Sequence, residues 1–489
     1  MRRYLAIDLG AESGRGVVGA LEGGRIRLEE VHRFPNGPIR LFDHLYWDAL
    51  GLYREIKAAI GKAAAQGKLD AMGIDSWAVD FGLIGPGGTL VGSPRCYRDP
   101  RTDGIVERAF EVVPREEIFR ETGIQFLQFN TLYQLLALKE QEPRLLEAAR
   151  KLVMIGELFT YFLTGRVVGE FTNASTTQLL TPQGEWSQKL LSRFGLPVEI
   201  MPEVVHPGTE VGVVIDSVRS ELGLAQDLPV IVPAVHDTGS AVAGVPASGR
   251  DWAFISSGTW SLVGMEVEKP IITEESLAFN LTNEGGVERT YRLLKNVMGL
   301  WIVQELRREW ERRGEALAYD ALTRLAAEAA PFQAFIDPDD PSFFRPGDMA
   351  ERVRAYAEKT GQRPPESLGE LVRCVLESLA LKYRYVIDRL ERAAGQKVEV
   401  VHVVGGGSQN RLLNQMTASA CGRMVLAGPV EATALGNVVM QAVGQGALSS
   451  VAEGRKAIRA SFVLEEYSPE RTEAWSEAYE RFLRLIERS

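Results

Sequence analysis

Cysteine is scarce in this chain, with three in 489 residues at Cys96, Cys374 and Cys421. They form no CxxC and no Cys/His pair at zinc spacing, so neither a disulfide framework nor a zinc site is expected. Three buried or half-buried thiols in a reducing compartment fit better, and cytoplasmic localisation follows as the expectation. The Asn-x-Ser/Thr matches at Asn173 and Asn280 are then chance, because glycosylation requires secretion. Basic charge is also in deficit: 55 Lys and Arg face 65 Asp and Glu, for a net charge of -10. Without clustered cations to displace counterions from phosphates, a general nucleic-acid surface is excluded. No apolar run reaches the roughly 18 residues of a membrane span, so no membrane partner is expected. The opening "MRRYLAIDLG" is interrupted at Asp8 before it reaches signal-peptide length. The pattern GxxxxGK[ST] is missing, which excludes a P-loop.

What remains is the composition of a globular enzyme, 45% hydrophobic and 25% charged. The length exceeds what one core supports, so two domains are expected. Tyr4–Leu9, Arg15–Leu21 and the run from Arg25 read as three strands joined by Gly-rich turns. A helix follows, with Asp48 as N-cap. "LDAMGIDSWAVDFGLI" reads as strand. "DWAFISSGTWSLVGMEVEKP", from Asp251, repeats the strand, polar turn, strand device in the second half. The Pro/Gly/Ser loop around residues 243–251 marks the boundary, giving domains 1–245 and 246–489. Later, Leu368 to Tyr383 recur at helical spacing, with Gly395 as the stop. "VEVVHVVGGGSQNRLL" predicts a strand, three glycines and a helix capped by Ser408. "PDDPSFFRPGDM" reads as a surface loop with exposed aromatics.

Four short motifs carry chemistry. Asp8 precedes the turn Gly10–Arg15, where a strand-end carboxylate could hold Mg²⁺ through water or merely cap the turn. The same segment holds a formal GxGxxG, Gly14 to Gly19. A dinucleotide fingerprint needs strand, turn, then helix, and the β-branched residues after Gly14 argue against a helix. A turn between antiparallel strands can still offer N–H groups to a phosphate. Ser256-Ser257-Gly258-Thr259 is small enough for close backbone approach. Gly405-Gly406-Gly407-Ser408, between strand and helix, suits a flat base or ribose. His236-Asp237-Thr238 offers a candidate general base or, alternatively, a helix cap.

Taken in order, these four motifs resemble the actin/hexokinase-like ATPase superfamily, and within it the FGGY carbohydrate kinases along essentially the whole chain. "YRDPRT" is similar to that family's Trp-x-Asp-x-Arg segment, with Tyr97 in place of Trp. "HRFPNG", "GIDSWAVDF", "GIQFLQFNTLYQL", "TNASTTQLL", "HDTGSAV", "SSGTWSLVG", "TNEGG" and "LLKNVMGLW" resemble one ketose kinase of that family. The resemblance implies an α/β fold of two ribonuclease-H-like domains with an ATP cleft between them. It assigns the sugar and first phosphate turn to residues 1–245 and the nucleotide to 246–489. It implies transfer from ATP, with Mg²⁺, to the C1 hydroxyl of a ketose, in a monomer or a dimer.

By the same resemblance, Ala11, Glu12, Ser13, Gly14 and Arg15 contact ATP phosphates and Asp8 helps place the metal. Asp237 accepts the hydroxyl proton. Ala78, His236, Thr238 and Asn296 contact sugar, Thr259 lies near the γ-phosphate, Gln304 serves the nucleotide, and Gly405 and Gly406 the adenosine. Two departures stand out. Ala78 sits where related enzymes commonly carry Gly, and Glu12 places a negative charge in the phosphate turn. A chaperone-like or actin-like ATPase is the competing class. It would carry a peptide-binding region after the nucleotide loop, where only about one small helical segment is expected here.

Overall fold

The Gly-rich turn near the N-terminus does join two strands, and each glycine of the GxGxxG has a packing reason to be there. In the computed structural model, which describes residues 1–487, β1 (Arg2–Leu9), β2 (Ser13–Glu22) and β3 (Arg25–Pro35) form an antiparallel meander. A Cβ on Gly14 would lie 2.3 Å from the Phe34 ring. One on Gly16 would meet the Ala59 Cβ at 2.8 Å, and one on Gly19 the Val438 side chain at 2.5 Å. Ala59 belongs to α1 (Ala49–Ala65), capped by the Asp48 carboxylate at the Gly51 amide. Val438 belongs to α8 (Ala432–Gly444). The motif is therefore a strand thinned so that two helices can approach it closely.

The chain divides into two compact units, one of residues 1–248, 266–293 and 432–461, the other of 249–265, 294–431 and 462 onward. The first unit adds β4 (Ala71–Ser76), β5 (Thr209–Val213) and β6 (Pro229–Val232), giving the sheet order β5-β6-β4-β1-β2-β3. β1, β4 and β6 are parallel, and β5 is an antiparallel edge. The parallel strands β1, β4 and β6 are short runs buried on both faces, as helix-covered parallel sheets require.

The second unit repeats the plan. β7 (Trp252–Ser257) and β8 (Trp260–Val267) form the antiparallel pair. After them come the short strand β9 (Thr282–Gly285), which lies in the first unit, and β10 (Tyr291–Met298). β7 then runs parallel to β11 (Val400–Val404), and β11 to β12 (Met424–Ala427), with β13 (Glu465–Tyr467) as an antiparallel edge. Helices α5 (Trp301–Arg312), α6 (Leu368–Ala394) and α7 (Arg411–Cys421) belong to this unit. α6 opens on a Ser367 capping box and stops at Gly395, which takes the left-handed C-cap conformation.

Four readings of the sequence need correction. "LDAMGIDSWAVDFGLI" is two strands, β4 and Phe81–Ile84, in different sheets, because the chain breaks at Trp77–Asp80. Ser408 does not cap α7. A 3₁₀ turn over Gly406–Gln409 intervenes, and the Asn410 side chain accepts from the Leu413 amide instead. In the Pro/Asp-rich loop Phe343 is completely buried and its carbonyl accepts from the Trp301 indole at 3.0 Å, since a 3₁₀ turn there folds the ring inward. After Ser450 come two helices, α9 (Val451–Ser461) and α10 (Thr472–Ile486), as well as β13, which is more than the small segment expected. All three cysteines are buried and free, and burial pushes the Cys421 thiol up to about 12. Asn173 is fully buried too, so it could not serve as a glycan acceptor in this fold.

Two features of the first unit hold the end of β6 in place. One is the crossing of α8 over α4 (Asp237–Ala243). A Cβ on Gly436 would lie 1.7 Å from the Ser240 carbonyl oxygen, and one on Gly244 would lie 2.1 Å from that of Ala432. The backbones touch, and no side chain fits between them. The other is a pair of fully buried carboxyls, Glu157 on α2 (Ile155–Thr164) and Glu170, the N-cap of α3 (Phe171–Ser175). Glu157 accepts from the Glu170 amide at 2.8 Å and from Asn173 Nδ2 at 2.6 Å. Glu170 accepts from the amides of Thr172 and Val235, both at 2.8 Å. Burial pushes these carboxyls up to about 8 and about 7, against the pull of their hydrogen bonds.

Gly436→Ala is expected to cost about 1–3 kcal/mol, the usual range for overpacking, read as a lowered urea midpoint. The buried carboxyls carry a pH signature. From 4.5 up to about 8 the folded chain holds a proton on Glu157 that the unfolded chain has released, so stability falls as pH rises through that window. Glu157→Gln keeps an acceptor for the Glu170 amide and removes one titration. Its urea midpoint should vary less with pH across the window, and a slope equal to the parent's would refute the assignment.

Candidate active site

Asp8 and Asp75 stand side by side near the carboxyl ends of β1 and β4, and Asp237 opens α4, the helix that follows β6. Asp8 and Asp75 are register partners on adjacent parallel strands, so their side chains share a face. Beside them Ser76 bridges to His236, with the Ser76 amide donating to the Val235 carbonyl at 2.7 Å. Asp237 follows as the first residue of α4. Arg15, opposite Asp8 on β2, donates from Nε and Nη2 to Asp8 Oδ2 at 3.0 and 2.7 Å. Asp75 accepts from Asn437 Nδ2 at 2.6 Å, while its buried Oδ1 has no hydrogen-bond partner among the described residues.

The electrostatics follow from this crowding. Burial holds the Asp75 carboxyl well above the usual carboxylate range, the Asp8 charge reinforces the shift, and Asn437 opposes it. Burial also raises Asp237, His236 pulls it back, and Asp8 raises it further. The Asp237 side chain nevertheless remains 32% exposed, so a substrate can reach it. Its neighbour Thr238 is buried and donates from Oγ1 to Asp237 Oδ1 at 3.2 Å.

The turn before β2 is tied down by its carbonyls. The Gly10 amide donates to Ser13 O at 2.9 Å, and Asn36 donates from Nδ2 to Gly10 O at 2.8 Å and from its amide to Glu12 O at 3.0 Å. Ala11 and Ser13 are half-buried, Gly14 is buried under Phe34, and the Glu12 side chain is exposed. Ala78 is buried with φ +64°, which explains why glycine suits this position. Val79 follows at φ +55°, an outlier for a β-branched residue. Such strain persists only where surroundings over-determine it. Here the Val79 carbonyl accepts from Thr131 Oγ1 at 2.6 Å, and the next residue, Asp80, accepts from the indoles of Trp47 and Trp77 at 2.6 and 3.0 Å and from Gln134 at 2.9 Å.

The second unit gathers the other predicted residues. Thr259 lies in the turn between β7 and β8, and its carbonyl accepts from the amides of Gly299 and Trp301, at the N-terminus of α5. Gln304 stands one turn further along α5, with its buried Oε1 lacking a hydrogen-bond partner among the described residues. Asn296 lies on β10, half-buried. The three glycines after β11 are not equivalent. Gly405 has φ +82° and would bring a Cβ 2.9 Å from Ser257 O, and Gly407 would bring one 2.0 Å from Ser257 Oγ. Gly406 alone would meet nothing within 4 Å. Two of the three are thus needed for packing against β7, and the middle one faces open space.

Sequence reasoning brought Asp8, the turn to Arg15, Ala78, His236, Asp237 and Thr238 into one unit, and it gave no role to Asp75, Asp80, Glu170, Glu284 or Arg292. A signal existed for some of these. An acidic residue inside an otherwise apolar strand run, as in "AMGIDSW", is rarely buried without a purpose.

Comparison with known proteins converges on one family. Residues 3–244 match the N-terminal domain, and residues 253–445 the C-terminal domain, of the FGGY family of carbohydrate kinases. A rhamnulokinase of Bacteroides thetaiotaomicron is 44% identical over 487 residues, 99% of either chain. One of Oceanobacillus iheyensis is 41% identical over 466 residues, 95% of this chain and 98% of its own. Among solved structures, a xylulose kinase from Lactobacillus acidophilus superposes with TM-score 0.83 at 16% identity, covering 100% of this chain and 98% of its own. A gluconate kinase from the same organism does so with TM-score 0.83 at 18% identity, covering 99% and 98%. These two share the fold of this chain. Matching strand-turn-strand elements in both units, family matches over both halves and near-full-length relatives at over 40% identity lead to one conclusion: the chain belongs to the FGGY family of carbohydrate kinases.

Proposed function

We propose that this chain transfers the γ-phosphoryl group of ATP to the C1 hydroxyl of L-rhamnulose, giving L-rhamnulose 1-phosphate and ADP, in L-rhamnose catabolism. The observation that carries the reading is the 44% identity, along 99% of both chains, to a rhamnulokinase. The active-site chemistry fits a phosphoryl transfer, which asks for positioning and charge neutralisation more than covalent chemistry. Asp237 takes the C1 hydroxyl proton as that oxygen bonds to the γ-phosphorus and the bond to ADP breaks. Its raised, half-buried carboxyl suits a general base. His236, Thr238, Ala78 and Asn296 orient the sugar. The turn Ala11–Arg15 and Thr259 hold phosphates. Gln304, Gly405 and Gly406 take the nucleotide, in a division of labour between residues 1–245 and 246–489.

The residues fit a magnesium ion carried with ATP. The described residues contain no cluster of three or more His, Cys, Asp or Glu able to cage a metal. Mg²⁺ asks only for one or two carboxylates beside phosphate oxygens and water. Asp8 would supply one, and Asp75, with its partnerless Oδ1, the other. Bound there, the ion would neutralise charge on the β- and γ-phosphates. No helix among the described residues is long and apolar enough to cross a membrane, and with three buried thiols this supports a cytoplasmic enzyme.

The test is ADP release with Mg-ATP against L-rhamnulose, L-fuculose, L-xylulose, D-xylulose, glycerol and no sugar. Selective stimulation by L-rhamnulose is expected. Stimulation by another ketose would reassign the substrate, and sugar-independent turnover would reject the kinase reading. Asp237→Asn should lower sugar-stimulated kcat by about 10²–10⁴ while the fold persists. Because Asp237 is raised, activity should be lost on acidification at a higher pH than a free aspartate would give. Chelation of Mg²⁺ should abolish turnover and its return restore it.

A further inference from the structure

Behind Asp237 lies a buried chain of donors and acceptors that the reaction as described does not use. Arg292, on β10, is completely buried. Its Nε donates to the Gly285 carbonyl at 2.8 Å and its Nη2 to the Thr172 carbonyl at 3.4 Å. Nη1 and Nη2 lie 3.2 and 3.3 Å from Nδ1 of His236. Glu284, on β9, supplies the countercharge, with Oε2 3.2 Å from Arg292 Nη1 and 3.2 Å from the same ring nitrogen. Across the ring, His236 Nε2 is 3.4 Å from Asp237 Oδ1.

The donor inventory decides how the protons lie. A guanidinium has donors only and does not deprotonate in proteins. Two of its nitrogens converge on Nδ1, so Nδ1 must accept, and a neutral imidazole then carries its proton on Nε2. The charged groups facing the ring are Asp237 from α4, Glu284 from β9 and Arg292 from β10. The two carboxylates would favour an imidazolium. Arg292 opposes it, both by its charge and by filling the lone-pair direction at Nδ1, while engaging Glu284 itself. Nε2 then carries the proton and lies 3.4 Å from Asp237 Oδ1, the oxygen that accepts from Thr238 Oγ1.

We propose that Arg292 is a positioning residue for the phosphoryl transfer: it fixes His236 as the neutral Nε2–H tautomer, so that Oδ1 of Asp237 receives the protein's donors and Oδ2 is left to take the substrate proton. The inference rests on Asp237 being the base. Its first measurement does not. In the free full-length protein labelled at its five histidines, ¹⁵N and ¹³C spectra, with His236 assigned by His236→Gln, should show the Nε2–H tautomer of a neutral ring. Arg292→Lys, also a pure donor, should keep that tautomer. Arg292→Met combined with Glu284→Gln, which leaves no buried charge unpaired, should lose it. In that double variant kcat for the sugar should fall on the order of a hundredfold with little change in KM. An imidazolium or an Nδ1–H ring in the wild type would overturn the proposal without any variant. So would an Nε2–H ring that survives in the double variant, whatever happens to turnover. Full turnover in Asp237→Asn would instead reject the base assignment, a result separable from the spectra because these are recorded without sugar or nucleotide.

Discussion

The contact on which the rest of the site depends is one between two backbones. α4 carries Asp237 at its first residue, and α8 crosses it so closely that Ser240 O would lie 1.7 Å from any Cβ on Gly436. Close packing of this kind removes the slack that side chains would allow. It fixes where α4 begins, and hence where the Asp237 carboxylate sits. The same helix α8 reaches the sheet with Asn437 on Asp75, and with Gln441, which donates to the Leu5 carbonyl at 3.0 Å. One helix thus positions Asp237, the proposed base, and braces the acidic partner of Asp8.

The first unit spends stability to hold a polar site in its interior. Asp75, Asp80, Glu157, Glu170 and Arg292 are all fully buried, at positions where an apolar residue would cost nothing in solvation. Nearly every one is met by directed donors or acceptors. The strained pair Ala78-Val79 is held from below by Asp80, which collects two indoles and an amide. Glu170 pins the Val235 amide, one residue before His236. Such networks act through geometry, aligning groups in advance of substrate.

The fold was legible in the sequence because its signals are local. The three hairpin strands, the Asp48 cap, the long helix from Leu368 to its Gly395 stop and the second strand-turn-strand all announce themselves within a few residues. The reading failed where a local pattern had a distant cause. The glycines of the GxGxxG answer to Phe34, Ala59 and Val438, none of which the spacing could reveal. Phe343 lies in a Pro/Asp-rich stretch yet is buried beneath distant helices. Glu284 sits in "TNEGG", a string that carried resemblance but no role, and Arg292 immediately precedes "LLKNVMGLW" and was passed over, because their partner His236 is 56 residues from Arg292. Ser408 lost its cap to Asn410 because three glycines permit an extra 3₁₀ turn.

The discontinuity of the first unit reaches beyond the finished enzyme. Residues 432–461 belong to it, although 182 residues before them, 250 to 431, lie mostly in the other unit. A ribosome emits a chain in order, at about 5–20 residues per second. For roughly ten seconds or more after residue 248 emerges, the nascent sheet would lack α8. Asp75 would then be without Asn437, and α4 without its crossing partner. Until residues 432–444 emerge, the contacts that brace Asp75 and pack against α4 cannot form.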